Sequence, residues 1–225
     1  MRLVIPPGVS RPISDTWLLA AALERERLAP EARVLDLCAG SGALAVSAAL
    51  GGAEVTAVDV SHRAVAAIRL NAALNRVRVR ARRGNLFEAV AGERFDAIVA
   101  NPPYVPAQTD ELPTRGLARA WDAGRDGRAL LDRICAAAPQ HLRPGGVVLL
   151  VHSSLLGLEP TAEALRAGGL DVEVAARERG PLGPLMRARR DAGLIAPVDE
   201  EDVLVVRGRK PATTHCRSEP LNVTM

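Results

Sequence analysis

The chain has 225 residues, 48% of them hydrophobic, a formal net charge of +3, and only two Trp, one Tyr and two Phe. That length suits a single domain with an aliphatic core, and the near-balanced charge does not by itself point to a nucleic-acid partner. Cys38, Cys135 and Cys216 form no CxxC pair or disulfide framework, the four histidines (His215 beside Cys216 included) show no metal-ligand spacing, and no apolar run reaches membrane-spanning length, so the expectation is a metal-free protein of the reducing cytoplasm.

In chain order, residues 1–30 read as a lead-in. Pro6, Pro7, Gly8 and Pro12 break its first part. The stretch SDTWLLAAALERERLA then predicts a helix capped by Ser14 or Asp15, with Leu18, Leu19, Ala22 and Leu23 on one face and an end at Pro30. Residues 31–209 alternate strand and helix signals. ARVLDLCAG is a strand closing on glycine, ALAVSAAL a short apolar helix, and AEVTAVDV a strand ending at Asp59. SHRAVAAIRLNAAL is a helix capped by Ser61, RVRVRARRG a half-exposed strand, and RFDAIVANPPY an apolar strand that stops abruptly. RALLDRICAAAPQHL (helix), RPGGVVLLVHSS (turn and buried strand), LEPTAEALRAGG (helix), LDVEVAARE and EDVLVVRGR (strands) complete the pattern. Strands alternating with helices argue for a parallel α/β sheet. The long insert between the last two strands predicts a helix exposing Arg187, Arg189 and Arg190, either a solvated face or a dock for an acidic partner. Residues 210–225, from the lone lysine Lys210 onward, read as a disordered tail.

Two stretches carry chemistry. DLCAGSGALA, residues 36–45, joins the first strand to its helix; Gly40 and Gly42 allow a sharp turn and close approach to a ligand, in the crevice where open parallel sheets bind theirs. Asp59, closing the next strand, suits a carboxylate accepting both hydroxyls of a ribose. GSGALA fits the dinucleotide pattern G-x-G-x-x-A, and the loop equally suits S-adenosylmethionine. Asp36 favours the second, since a carboxylate there would repel a pyrophosphate and attract the ammonium of a methionine moiety.

The second stretch is VANPPYVP, residues 99–106. Asn101 ends an apolar strand and so falls at the crevice. Its carboxamide offers an acceptor and two donors. Pro102 and Pro103 have fixed φ and no N–H, which stiffens the chain and leaves the Pro102 carbonyl free. The Asn101 oxygen and that carbonyl can accept both hydrogens of one substrate NH₂ group, while Tyr104, the only tyrosine, offers a face for stacking on a planar group. This suits methylation of a conjugated nitrogen, whose delocalised lone pair is a weak nucleophile until its hydrogens are held. The plainer alternative is a proline-rich turn.

VLDLCAGSGALA, VTAVDVS, RRGNLFE and FDAIVANPPYVP, in this order, resemble a class I S-adenosylmethionine-dependent methyltransferase, and more narrowly the HemK group of protein-glutamine N5-methyltransferases. RPISDTWLLA is similar to the short HemK-2-like branch, which lacks a separate N-terminal helical domain; AWDAGRDGRALLDRI and LRPGGVVLLV extend the likeness, which covers about residues 10–208. The resemblance implies a Rossmann-like α/β fold: a seven-stranded, mostly parallel sheet with helices on both faces and an antiparallel last strand. It implies that S-adenosyl-L-methionine is held by Thr16 of the lead-in, Asp36, Cys38, Gly40 and Gly42 of the loop, Asp59, Asn85, Leu86 and Asn101, with Asn101, Pro102, Pro103 and Tyr104 holding the substrate. Cys38 stands where the family has the first glycine of its loop, and Asn85 where an Asp is common. The implied substrate is a glutamine amide in a protein, a translation release factor with a Gly-Gly-Gln motif being the family's usual target. Some lineages of the branch add a small zinc-binding activating subunit. An adenine N6-methyltransferase, an NAD(P)-dependent oxidoreductase and a catalytically silent scaffold are the competing readings.

Overall fold

The computed structural model describes residues 1–212; His215 and Cys216, and the expected tail beyond residue 212, lie outside the described residues. Seven strands form one sheet: β1 (Arg33–Leu37), β2 (Glu54–Asp59), β3 (Val79–Arg83), β4 (Phe95–Ala100), β5 (Leu142–Ser153), β6 (Asp171–Pro181) and β7 (Glu200–Arg209). Their order is β3-β2-β1-β4-β5-β7-β6. β1 to β5 pair in parallel, and β7 runs antiparallel to both β5 and β6. The fold is therefore the expected one, its last strand antiparallel. The inner strands read as unbroken apolar runs because helices cover both faces.

On one face Leu35, Leu37, Ile98, Val148 and Leu150 pack with Leu131 and Ile134 of α4 (Ala129–His141) and Leu165 of α5 (Leu158–Ala167). On the other, Val34, Val55, Val99 and Leu149 pack with Leu19 and Leu23 of α1 (Ser14–Arg25), Leu44 of α2 (Ala43–Leu50) and Ile68 of α3 (His62–Leu74). Ser61 caps α3 as expected, its Oγ accepting from the Ala64 N–H at 3.4 Å.

Three local expectations are corrected. The N-cap of α1 is Ile13, not Ser14 or Asp15; Thr16 takes the Ile13 N–H on its Oγ1 at 3.4 Å, which frees Asp15 for other bonds. The helix stops at Arg25, short of Pro30, as Arg27 enters the left-handed region at φ 46°. Of the three arginines of α6 (Pro184–Asp191) only Arg187 is exposed: Arg189 is bonded to Asp122 at 2.6 Å, and Arg190 to Asp191 at 2.9 Å and also to Asp199. These charges are spent inside the molecule and leave no three-arginine face.

The lead-in is tied down by two asparagines one turn apart on α3. Asn75 exchanges two hydrogen bonds with the backbone of Arg2, and Asn71 two with that of Val4; buried Asn71 also donates to the Ser41 carbonyl at 2.9 Å. Lys210 is likewise anchored, donating from Nζ to the Pro139 and Leu142 carbonyls.

Gly42 precedes α2 at φ 79°, with Ile68 so close that an added Cβ would lie 3.0 Å from its Cγ1 and 3.1 Å from its Cα. Gly42→Ala is expected to lower the unfolding free energy by roughly 1–3 kcal/mol, read from urea denaturation, because left-handed strain and the crowding act together.

Candidate active site

The register brings the site together. Leu37 of β1 pairs with Val58 of β2 on one side and Ala100 of β4 on the other, so Cys38, Asp59 and Asn101 emerge at one level of the sheet. The chain order turns back between β1 and β4, the crevice position for ligands in such sheets. A cavity of about 1390 Å³ opens there. One part of its wall comes from residues 8–12, 38–41, 58–63 and 83–86, the other from residues 101–105, 112–117, 119–122, 180–181 and 183–186 with Glu201. Ten of the expected site residues line it: Thr16, Cys38, Gly40, Asp59, Asn85, Leu86, Asn101, Pro102, Pro103 and Tyr104.

Asp36 and Gly42 do not line it. Asp36 is fully buried under the loop, where Oδ2 accepts from the Ala45 N–H at 3.0 Å and Oδ1 has no partner among the described residues. Burial pushes its carboxyl up to about 8, with the Ala45 bond opposing and Asp59 adding to the rise. The expectation that Asp36 directly faces an ammonium is thus corrected: the first turn of α2 draws the side chain beneath the loop. Gly42 makes the close contact between α2 and α3 instead of a ligand surface.

The remaining loop is open to a ligand. Gly40 sits at φ 52°, and a Cβ there would meet nothing nearer than Ser10 Cβ at 3.9 Å, so the space above it is free. Cys38 lies in the left-handed region that favours glycine, at φ 56°. Burial first, then Asp59 and Asp36, push its thiol well up, so it stays protonated. Asp59 accepts from Gly40 N–H at 2.9 Å through Oδ2 and from Ser61 N–H at 2.8 Å through Oδ1, and each oxygen keeps a lone pair for a further donor. Burial raises its pKa, against those bonds and the nearby Arg119. Asn85 gives its NH₂ to Glu88 at 3.0 Å, which leaves its carbonyl oxygen as the group on offer.

Asn101 and Tyr104 are held by the start of α1. Asn101 Nδ2 donates to Thr16 Oγ1 at 3.2 Å, and Tyr104 Oη donates to Asp15 Oδ2 at 2.9 Å. Burial and then Asp15 push the Tyr104 pKa well above 10, so the phenol remains a neutral donor. Its ring is half-buried and packs against the core beside β4 while lining the cavity. Sequence reasoning took Asp15 only as a cap and missed Glu201, a cavity carboxylate whose buried Oε2 has no partner among the described residues. Burial raises the Glu201 pKa. Glu201 opens the predicted strand EDVLVVRGR, and nothing local marks it as a cavity residue; its pairing opposite Gly180 of β6 reveals it. Among the described residues no group of three His, Cys, Asp or Glu is placed to hold a metal ion, and no helix is long and apolar enough to cross a membrane.

Residues 13–120 match the methyltransferase small domain family. The chain is 37% identical over 187 residues to a putative protein N5-glutamine methyltransferase of Methanocaldococcus jannaschii, covering 83% of this chain and 93% of that relative. It is 45% identical over 159 residues to the release factor glutamine methyltransferase of Bordetella pertussis, covering 66% of this chain but only 58% of that relative. Among solved structures, the E. cuniculi Mtq2–Trm112 complex, described as methylating the termination factor eRF1, shares the fold with a TM-score of 0.62 at 23% identity, over 90% of this chain and 99% of that one. The Thermus thermophilus 16S rRNA N2 G1207 methyltransferase, solved with AdoMet and guanosine, has a TM-score of 0.55 at 27% identity, over 89% of this chain and 44% of that one.

Fold and site thus define a class I methyltransferase that uses S-adenosyl-L-methionine. The chain belongs to the HemK-like family of these N-methyltransferases.

The folded protein holds the Asp36 proton more tightly than the unfolded chain, whose carboxyl titrates near about 4. The resulting stabilisation is complete below about pH 4 and is lost as pH rises through about 8. Asp36→Asn removes this component. Denaturation of the cofactor-free proteins at a series of pH values should show the variant gaining stability relative to wild type from acid to mildly alkaline pH; parallel curves would refute the assignment.

Proposed function

We propose that this enzyme methylates the side-chain amide nitrogen of a glutamine in a protein, the Gly-Gly-Gln segment of a translation release factor being the first candidate, and that it does so in the cytoplasm. One observation carries the reading. Asn101, at the carboxyl end of β4, spends its NH₂ on Thr16, which leaves its carbonyl oxygen as the free end beside the Pro102 carbonyl and the Tyr104 ring.

The cofactor supplies a methyl group on a positively charged sulfur, open to in-line attack by a nitrogen lone pair. Asp59 would hold its ribose hydroxyls, the Cys38–Gly40 backbone its methionine end, and Asn85 and Leu86 its adenine, with Thr16 closing from the lead-in. The chain's own task is to ready the nitrogen. The Asn101 and Pro102 oxygens accept its two hydrogens and bias it out of conjugation, so the lone pair becomes available. They also stabilise the positive charge that develops there, an effect of placement and electrostatics. The N–C bond forms as the S–C bond breaks, and the surplus proton leaves late, through Asn101 or water.

The end of the cavity formed by β6 and β7 is acidic: Glu178 and Glu201 line it, and a phosphate chain there would be repelled, which favours a protein segment at that end. Arg115 and Arg119 line another part of the same wall, and Arg11, Arg63, Arg83 and Arg133 line the rest of the cavity. Exposed Ile13, Leu117 and Leu185 give the cavity an apolar rim suited to a peptide loop. The relatives named for glutamine methylation support the same choice.

The test is transfer of labelled methyl from S-adenosylmethionine to proteins of a cell extract, with site mapping by mass spectrometry. Label on a glutamine supports the reading; label on adenine in an oligonucleotide and on no protein overturns it. Asn101→Ala should cut turnover by roughly 10²–10³-fold, with cofactor affinity within a few-fold of wild type by calorimetry. Asp59→Ala should instead weaken cofactor binding by roughly 10–100-fold, the cost of losing hydrogen bonds to a charged group.

A further inference from the structure

An asparagine side chain has two ends of nearly equal size and opposite chemistry, and a half-turn about its last bond exchanges them. The methylation scheme works only if the carbonyl end of Asn101 faces the substrate, because the NH₂ end would confront a substrate NH₂ with hydrogens. Something must therefore fix the polarity of this amide, and the structure shows a chain of bonds that can.

Asn101 Nδ2 lies 3.2 Å from Thr16 Oγ1. A hydroxyl has one hydrogen, so it could meet either end of the amide unless that hydrogen is committed. Here it is committed: Thr16 Oγ1 donates to Asp15 Oδ1 at 3.2 Å. The same oxygen holds the Thr16 N–H at 2.6 Å. The Ile13 N–H, at 3.4 Å, adds a second donor to Thr16 Oγ1. With its hydrogen spent, Oγ1 can only accept, and only the NH₂ end of Asn101 can face it. Asp15, 5% exposed, takes the Tyr104 hydroxyl on its other oxygen. One carboxylate thereby governs both the amide and the ring.

We propose that Asp15 and Thr16 are positioning residues which fix the polarity of Asn101, holding its NH₂ away from the substrate and its carbonyl oxygen towards it. The proposal rests on the methyl-transfer role of Asn101 argued above. It assigns to the first turn of α1 a task in the reaction beyond covering the cavity.

The decisive variants change polarity at constant size. Asp15→Asn keeps an oxygen for the Thr16 N–H but turns an NH₂ to the Tyr104 hydroxyl and replaces the carboxylate with a weaker acceptor, which loosens the commitment of the threonine hydrogen. Thr16→Val keeps the shape and removes the acceptor. Each should lower kcat on a glutamine-containing release-factor segment by roughly 10- to 100-fold with a much smaller change in KM for that segment, and Asp15→Asn should also leave cofactor affinity near that of wild type. Thr16→Ser, which keeps the hydroxyl, should restore most of the turnover lost in Thr16→Val. A purely structural cap would instead lower thermal stability in step with activity. A second readout needs no substrate: in ¹H–¹⁵N spectra the Asn101 side-chain NH₂ pair, identified by its loss in Asn101→Ala, should exchange slowly in wild type and shift and exchange faster in Thr16→Val. If Thr16→Val leaves both kcat and these resonances unchanged, the proposal is overturned. If the resonances respond but wild type methylates no glutamine, the orientation stands and the glutamine reading falls.

Discussion

The parallel register around β1 is the constraint on which the site depends. Leu37 faces Val58 and Ala100 across its two ladders, so the residues that follow leave the sheet side by side. Neighbouring strands lie about 4.8 Å apart, which sets Asp59 and Asn101 on either side of the glycine loop at a spacing of roughly 10 Å. A slip of one residue would turn every side chain of a strand to the opposite face. What prevents it is the aliphatic pattern itself: Val34, Val55 and Val99 belong to one core layer, Leu35, Leu37 and Ile98 to the other. The core therefore does more than stabilise the chain. It sets the distance between Asp59 and Asn101 across the mouth of the cavity.

A second regularity concerns how this molecule keeps acids at a desolvated sheet end. Three carboxylates are involved, and each takes backbone N–H donors in place of a close cationic partner. Asp36 takes Ala45, Asp59 takes Gly40 and Ser61, and Asp15 takes Thr16. Such bonds favour the charged form without filling the cavity with long side chains. Burial outweighs such bonds at both Asp36 and Asp59, whose pKa values are raised. Asp59, with more donors and less complete burial, keeps free lone pairs facing the cavity and is the better placed of the two for a ligand.

Much of this was legible in the sequence because the buried strands are apolar runs and the chemistry sits where they stop. DLCAGSG, VDV and NPPY mark the ends of β1, β2 and β4, and nearly all the expected residues line one cavity. Directions and distant partners were not legible. No periodicity in a five-residue strand says that Asp36 points beneath the loop rather than into it. Asp15 looked like a cap because its partner Tyr104 lies 89 residues away. Arg189 looked exposed because its partner Asp122 lies 67 residues away, and nothing local marks Asn71 and Asn75 as the anchors of Val4 and Arg2. In each case a polar side chain was assigned its local use, and the fold gave it a long-range one.

The choice of an amide at the end of β4 follows from the same electrostatics. A fully buried carboxyl such as Asp36 on the neighbouring strand is pushed up in pKa, and once protonated a carboxyl is a hydrogen donor. Half-buried Asn101 has no such dependence on protonation. An asparagine carbonyl accepts at every pH, brings no desolvated charge, and leaves the weakly nucleophilic nitrogen as the group whose charge changes most during reaction. Its drawback is that its two ends are interchangeable in shape. Asp15 removes that ambiguity from one step away: it takes three donors, and its influence reaches Asn101 only as the direction in which the Thr16 hydroxyl points. The site thus keeps this acid away from the end of the amide that faces the cavity while still using it to decide which end that is.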